Sequence, residues 1–253
     1  RDLDIAGHFA NKTDWNSNVR LIEQSTPEGT AHAIECVSSL IDDDFIVAAC
    51  DNLMDEGVID QIVGFWQERS LSALLSVMRI SGDDVFRTGI VEIEGKNVIS
   101  IIEKPLPGQT MSNVASLPLY IFSHVALQYM RDVQFSIRGE RELQSAIQQI
   151  INDGLEVNAF HVTGRRDLTS VADFLAMNRY YLDLEGPFEI PTNVKTSNEF
   201  VQPVRIEPGV SIGNDCVVGP NVYLEKGAII GDEAVIRNSV ILRDSMILDG
   251  SVL

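Results

Sequence analysis

Along the first part of the chain, short apolar runs alternate with stretches whose apolar residues recur every three or four positions. Leu3, Ile5 and Phe9 read as the end of a helix, and Val19-Arg20-Leu21-Ile22 predicts a strand. Ile34, Val37, Leu40 and Ile41 then mark one face of a helix. Phe45 to Ala49 is a continuous apolar run, the pattern of a central parallel strand buried on both faces. Val58, Ile59, Ile62, Val63 and Trp66 predict a second helical face. Strands follow at 73–79, 88–94 and 98–102, the last two joined by a hairpin turn at Glu94-Gly95-Lys96-Asn97. A strand at 114–122, a helix at 140–152 ended by Gly154, a strand at 156–162 and a helix at 171–183 complete the series. Such alternation implies an α/β domain over residues 1–185, with a doubly wound, mostly parallel sheet.

From Val204 onward the period changes to six. Ile206, Ile212, Val218, Leu224, Ile230, Ile236, Leu242 and Leu248 form one aliphatic series. A second runs two residues ahead, from Val204 and Val210 through Cys216, Val222, Ala228 and Ala234 to Val240, Met246 and Val252. Turn formers such as Pro208-Gly209, Asn214-Asp215 and Asp232-Glu233 lie between them. Period six fits neither a helix stripe nor a plain strand, and predicts short strands stacked coil upon coil over residues 204–253. Residues 186–203, with three prolines and no clear period, read as a linker.

Composition narrows the function classes. The chain has 253 residues, 37 acidic against 19 basic, for a formal net charge of −18. That balance, with no Lys/Arg cluster, argues against nucleic acid as a partner. No apolar run reaches membrane-spanning length, so no membrane partner is expected. Cys36, Cys50 and Cys216 lie far apart and read as small buried apolar residues in a reducing compartment, the cytoplasm. His8, His32, His124 and His161 show no ligand spacing, and Trp15 and Trp66 look structural.

The candidate chemistry sits at strand ends, where ligands gather in open α/β sheets. Asp51-Asn52 follows the apolar run, Glu103-Lys104-Pro105 ends another strand, and Asp167 follows the strand at 156–162. Gln24 and Gly29 lie just past the strand at 19–22. Two separated carboxylates and a lysine suit phosphoryl chemistry, the acids holding Mg²⁺ and the ammonium meeting a phosphate. Taken singly, each has a structural use: an Asp after a strand caps a helix or turn, and Glu103-Lys104 serves as a solvated loop pair.

Glu23-Gln24-Ser25-Thr26-Pro27-Glu28-Gly29-Thr30-Ala31-His32-Ala33 resembles the base-binding segment of the sugar-1-phosphate nucleotidyltransferases. Asp51-Asn52 resembles their metal-binding Asp motif, with Cys50 in place of the usual Gly. The strand containing Gly89, the segment Ile102-Glu103-Lys104-Pro105, Asn113-Val114-Ala115, and Arg138-Gly139-Glu140 with Glu142-Leu143 match further family segments in order over residues 19–183. With the hexad tail, which resembles a left-handed parallel β-helix, the chain looks like the long-form, glucose-1-phosphate thymidylyltransferase-like branch.

The resemblance implies an enzyme that joins a nucleoside triphosphate and a sugar-1-phosphate, with release of pyrophosphate. It assigns Asp51, Lys104 and Asp167 as catalytic, with Asp51 and Asp167 holding Mg²⁺. Gln24 and Gly29 would contact the base, Asn52 would bind substrate next to Asp51, and Gly89, Glu103 and Asn113 would contact the sugar. Three departures mark the chain. Pro118 stands for a usual Gly, and Arg166 and Thr169-Ser170 replace an aromatic and Gly-Thr around Asp167. The family's glycine-rich phosphate loop is expected ahead of Arg1 in a longer protein. The hexad tail is expected to hold a homo-oligomer together. Two alternatives share the architecture: a bifunctional UDP-N-acetylglucosamine pyrophosphorylase/acetyltransferase, whose β-helix would need a catalytic His that 204–253 lacks, and a non-catalytic regulatory relative.

Overall fold

The computed structural model describes residues 5, 7, 9, 19–131, 133–164, 166–194 and 197–253. The helix end expected around Leu3–Phe9, Trp15, His8 and the centre of the 164–166 turn lie wholly or partly outside them. The elements in chain order are α1 (Thr30–Val37), β1 (Phe45–Ala48), β2 (Asn52–Leu53), α2 (Val58–Gln67), β3 (Ala73–Arg79), β4 (Gly89–Glu94), β5 (Asn97–Glu103), β6 (Val114–Phe122), α3 (Leu127–Arg131), α4 (Leu143–Asn152), β7 (Val157–His161), β8 (Arg166–Asp167) and α5 (Val171–Glu185), then the short strands β9 (Glu199–Phe200), β10 (Val204–Ile206), β11 (Ser211–Ile212), β12 (Val217–Val218), β13 (Val222–Leu224), β14 (Ile229–Ile230), β15 (Val235–Ile236), β16 (Val240–Ile241) and β17 (Met246–Ile247). The chain divides into two compact units. One holds residues 1–50 and 54–165, the other 51–53 and 166–253. No described helix is long and apolar enough to cross a membrane.

The first unit is a six-stranded sheet in the order β1-β6-β3-β7-β5-β4. Successive strand residues point to opposite faces, so Leu74 and Leu75 enter different cores. On one face Leu75, Val77, Val91, Tyr120 and Phe122 pack with Ala31 and Ile34 of α1, Met130 of α3, and Ala146, Ile147 and Ile150 of α4. On the other, Leu74, Leu119 and Ile121 meet Ile62 and Trp66 of α2. Helices thus cover both faces, as the alternation implies. In α4 the apolar residues fall at Leu143, Ala146, Ile147 and Ile150, all buried, a helical stripe of one turn-spacing after another.

Strand direction departs from the expectation. Among the described pairings of this sheet only β3–β7 is parallel; β1–β6, β3–β6, β4–β5, β4–β6 and β5–β7 are antiparallel. The sheet is mixed rather than mostly parallel, because an apolar run records burial and carries no information on direction. β1 is also not central: it lies at the end of the strand order, and its residues alternate between half-buried and exposed. Val19–Ile22 forms no strand, since no described segment pairs with it. Pro118 sits in β6 where the β3–β6 ladder is irregular between Leu75 and Val77. It has no N–H to donate, and its carbonyl accepts from Ala49 N at 2.9 Å. Of the cysteines, Cys216 is buried, but Cys50 is exposed and so does not fill a core slot.

In the second unit, β9 to β17 form three parallel ladders, β10-β13-β16, β11-β14-β17 and β9-β12-β15, the arrangement of a stacked coil. Glu199–Phe200 already pairs with Val217–Val218, ahead of the first hexad and inside the stretch read as a linker. Partners in the first turn are eighteen residues apart, as in Val204↔Val222, Ser211↔Ile229 and Val217↔Val235. In the next turn they are seventeen apart: Leu224↔Ile241 and Ile230↔Ile247.

One residue has therefore dropped out of the period. The corners locate it. Residues with positive φ recur at Gly209, Asp215, Asn221, Gly227 and Glu233, every sixth position, then at Asn238, Asp244 and Gly250. The step from Glu233 to Asn238 is five. The expected inward series ends at Ile236 and continues through Ile241 and Ile247. Ile241 is 6% exposed, whereas Leu242, expected inside, is 54% exposed, and Leu248 is 69% exposed. The mis-phasing arises because Val240-Ile241-Leu242 and Met246-Ile247-Leu248 offer an aliphatic residue at every neighbouring phase.

Candidate functional site

The site residues fall into two groups, one in each unit. In the second unit, β2 and β8 form a two-residue antiparallel ribbon that sets Asn52 opposite Asp167. The Asn52 Nδ2 amide donates to Asp167 Oδ1 at 2.6 Å. Directly before it, the Asp51 carbonyl accepts from Leu168 N at 2.8 Å. The ribbon thus draws together the backbones of three of the expected residues, Asp51 and Asn52 with Asp167, across 115 residues of sequence. Asn52 Oδ1 is buried with no hydrogen-bond partner among the described residues. An unmatched buried acceptor is costly, and such an atom marks a place where a donor or cation fits.

The supports around Asp167 use the residues that depart from the family pattern. The Arg166 guanidinium lies 3.7 Å from the Tyr180 ring centre, so cation and aromatic face meet here with the charge carried by the ribbon. Ser170 is the N-cap of α5 in a full capping box. Asp173 N donates to Ser170 Oγ, and Asp173 Oδ2 accepts from Ser170 N. That box anchors the chain three residues past Asp167. The S-x-x-D pattern was the signal for it in the sequence.

Among the described residues, no cluster of three or more His, Cys, Asp or Glu is placed to hold a metal ion. Mg²⁺ does not require one, since it keeps several waters and takes one or two carboxylates. The side chains that the ribbon brings together, Asp167 and the unmatched amide oxygen of Asn52, offer oxygen donors of the kind Mg²⁺ takes.

In the first unit, Gly89 opens β4 directly across from Glu103, the last residue of β5. A Cβ on residue 89 would stand 2.9 Å from Glu103 Oε2, so glycine leaves room for that carboxylate. Glu103 Oε2 is buried with no hydrogen-bond partner among the described residues. Burial holds the Glu103 carboxyl above its ordinary pKa, with Glu142 and Glu140 adding to the effect and Lys104 and Arg138 opposing it. Lys104 Nζ lies 4.0 Å from Glu103 Oε1 and is half exposed. Its φ of 46° is a left-handed conformation that side-chain-bearing residues rarely adopt. Lys104 N donates to Thr88 O at 3.1 Å, which ties this bend to the start of β4.

Glu103 and Lys104 border a cleft of about 430 Å³ that is also lined by Arg138, Glu142 and Gln144. Glu142 is buried, accepts from Ser136 Oγ at 2.7 Å and pairs with Arg138. Arg138 thereby becomes a second cation on the same cleft as Lys104, a residue the sequence flagged only as part of a matching segment. Asn113 is held elsewhere on the sheet margin: its Oδ1 accepts from Arg79 Nη1 at 3.1 Å and its carbonyl from Ile80 N at 2.9 Å.

Gln24 and Gly29 meet directly. Gln24 Nε2 donates to the Gly29 carbonyl at 3.1 Å and lies 3.0 Å from His32 Nδ1. Gly29 has φ 123°, and a Cβ there would meet the Arg141 backbone oxygen at 2.5 Å. Glycine is required on both counts. The backbone bonds Arg141 N to Glu28 O and Ala31 N to Arg141 O clasp this loop against the segment that opens α4.

Comparison with known proteins gives the family of the chain. The family model described as Nucleotidyl transferase matches residues 3–183, and the one described as GMPPB C-terminal domain matches residues 200–253. A low-salt glycan biosynthesis nucleotidyltransferase of Haloferax volcanii is 29% identical over 182 residues, covering 71% of this chain and 50% of that protein. A glucose-1-phosphate thymidylyltransferase of Streptomyces antibioticus is 30% identical over 208 residues, covering 81% and 57%. The chain thus spans little more than half the length of these relatives. A solved structure of UTP-bound UGPase from Acinetobacter baumannii superposes with a TM-score of 0.60 at 23% identity, over 74% of this chain and 67% of that one, a likeness of fold. With its α/β unit matched from end to end by the family model, the chain belongs to the nucleotidyl transferase family.

Proposed function

We propose that the protein carrying this chain is a sugar-1-phosphate nucleotidyltransferase. A phosphate oxygen of the sugar-1-phosphate attacks the α-phosphorus of a nucleoside triphosphate. The new P–O bond forms as the bond to the bridging α,β-oxygen breaks, and pyrophosphate leaves with its electron pair. Such a reaction needs alignment and charge neutralisation rather than a protein nucleophile. The observation that carries the reading is that two buried oxygens with no hydrogen-bond partner among the described residues, Asn52 Oδ1 and Glu103 Oε2, each stand beside residues of the family's motifs.

On this reading Asp51 and Asp167 hold Mg²⁺, with Asn52 fixing the Asp167 carboxylate. Bound there, the ion would supply positive charge against the polyphosphate. Lys104 meets the phosphate of the sugar substrate, and Glu103 receives a sugar hydroxyl beside Gly89. The family resemblance alone gives Asn113 to the sugar, since it stands outside the cleft of Glu103 and Lys104 with its Oδ1 taken by Arg79. Gln24 reads the base edge, with Gly29 leaving room for it. We assign the stacked coil as a left-handed β-helix that joins subunits, and the protein to the cytoplasm, where its three free cysteines stay reduced.

The test is pyrophosphate release by the full-length protein across a panel of nucleoside triphosphates and sugar-1-phosphates. Release only when a sugar-1-phosphate and Mg²⁺ are both present supports the reading. No release from any pair removes it in favour of a non-catalytic relative. Lys104→Ala adds a second arm: the Michaelis constant for the sugar phosphate should rise more than that for the nucleotide.

A further inference from the structure

The Gln24 side chain has two neighbours that between them fix which way its amide points. The Gly29 carbonyl, 3.1 Å away, is an acceptor under every condition, so the atom facing it is the NH₂ group. That same nitrogen lies 3.0 Å from His32 Nδ1. A donor faces the ring nitrogen, so Nδ1 carries its lone pair and the proton of the neutral imidazole sits on Nε2. Nε2 lies 3.6 Å from Cys36 Sγ, a soft acceptor one helical turn on, which suits that tautomer. With both amide hydrogens engaged, the atom left for a ligand is Oε1.

We propose that His32 is a positioning residue: its unprotonated Nδ1 and the Gly29 carbonyl together lock the Gln24 amide with the acceptor Oε1 outward. The inference rests on the assignment of Gln24 to the base edge. It adds the direction of the contact, since an outward acceptor suits a base whose ring nitrogen bears hydrogen, as in uracil, thymine or guanine. Turning the amide over would place Oε1 against the Gly29 carbonyl, so only one orientation satisfies both neighbours.

The charged and titratable groups around the ring come from each element packed there. Glu28 Oε2, on the loop before α1, is 3.8 Å from Nδ1. Arg141 holds Glu28 at 3.6 Å and Glu35 at 2.6 Å. Cys36 lies on α1 itself.

The experiment is steady-state kinetics of the full-length protein with whichever of dTTP, UTP and GTP it turns over best. Wild type, His32→Leu, His32→Gln and Gln24→Ala are compared, with thermal melts to confirm folding. His32→Leu removes the acceptor and should raise the nucleotide KM about three- to tenfold, the worth of one neutral hydrogen bond, while kcat and the sugar-phosphate KM stay as in wild type. His32→Gln offers an amide oxygen in place of Nδ1 and should keep the low KM. The lock is wrong if Gln24→Ala raises the nucleotide KM but His32→Leu leaves it as in wild type. If Gln24→Ala itself leaves the nucleotide KM unchanged, the base-edge assignment falls, and the lock with it.

Discussion

Asn52 donates its side-chain amide to Asp167 at 2.6 Å, across 115 residues of sequence. The bond is made within the smallest possible antiparallel ribbon, two residues against two. Such a ribbon contributes little stability of its own, so the contact orients a carboxylate more than it holds the fold.

This predicts a graded response at the ribbon. Asp51→Asn and Asp167→Asn each remove a proposed metal carboxylate and should lower turnover about a hundred- to a thousandfold, the usual cost of losing one electrostatic contact to the transition state. Asn52→Ala leaves both carboxylates but frees Asp167, and should weaken apparent Mg²⁺ affinity about ten- to a hundredfold. Pyrophosphate release titrated with Mg²⁺ measures both. Near-normal turnover of either aspartate variant at saturating Mg²⁺ would remove that residue from the metal site.

Glu103 should leave a pH signature on stability. Its carboxyl pKa in the folded chain lies above the ordinary value of about 4.5, chiefly because it is buried. The folded state therefore binds the proton more tightly than the unfolded chain does. The stability this contributes is complete below the unfolded pKa and is lost as pH rises through the raised folded value. Glu103→Gln has no proton to lose, so its melting temperature relative to wild type should climb from pH 4.5 to 7.5. A constant difference across that range would mean the carboxyl is not desolvated as described.

Parts of this were legible in the sequence. The stripe of α4 and the hairpin turn at Gly95-Lys96 follow from local spacing, and both appear where local physics puts them. The Gly29 and Gly89 positions carried a signal because close backbone and carboxylate approach forbids a side chain there. What was not legible depends on distant partners. The Phe45–Ala48 run looked central, yet direction and place in the sheet were set by β6, seventy residues on. The Asn52–Asp167 bond has no local trace in either segment. His32 looked like an ordinary histidine because its partner Gln24 lies in a loop with no periodic pattern.

Gly89→Ala tests the sugar side. The added methyl would stand 2.9 Å from Glu103 Oε2 and 3.4 Å from Gln144, both the far ends of flexible side chains. The sheet should accept it with a cost of about 1–3 kcal/mol, as for modest overpacking. Displacing Glu103 should instead raise the sugar-phosphate KM with little change for the nucleotide. An unchanged sugar-phosphate KM in a folded variant would separate Gly89 and Glu103 from the sugar.

The one-residue slip in the coil gives the sharpest contrast between a strict period of six and the observed ladder. A strict period puts Leu242 inside and makes its neighbour Ile241 a surface residue. The ladder pairs Ile241 with Leu224 and leaves Leu242 out. Ile241→Ala should therefore cost about 2–5 kcal/mol, the range for emptying a buried aliphatic site. Leu242→Ala should change stability by no more than about 0.5 kcal/mol in an isolated chain. Urea unfolding of both variants decides between the two phases, because a strict period predicts the reverse order. The slip has a second consequence. It turns Leu242, Met246, Leu248 and Val252 outward together, each more than half exposed. Exposed aliphatic residues of this kind favour contact with a like surface. If the coil joins subunits through it, Leu242→Ser with Leu248→Ser should shift sedimentation of the full-length protein from an oligomer to a monomer without lowering its melting temperature. An oligomer that survives this double substitution would place the interface elsewhere.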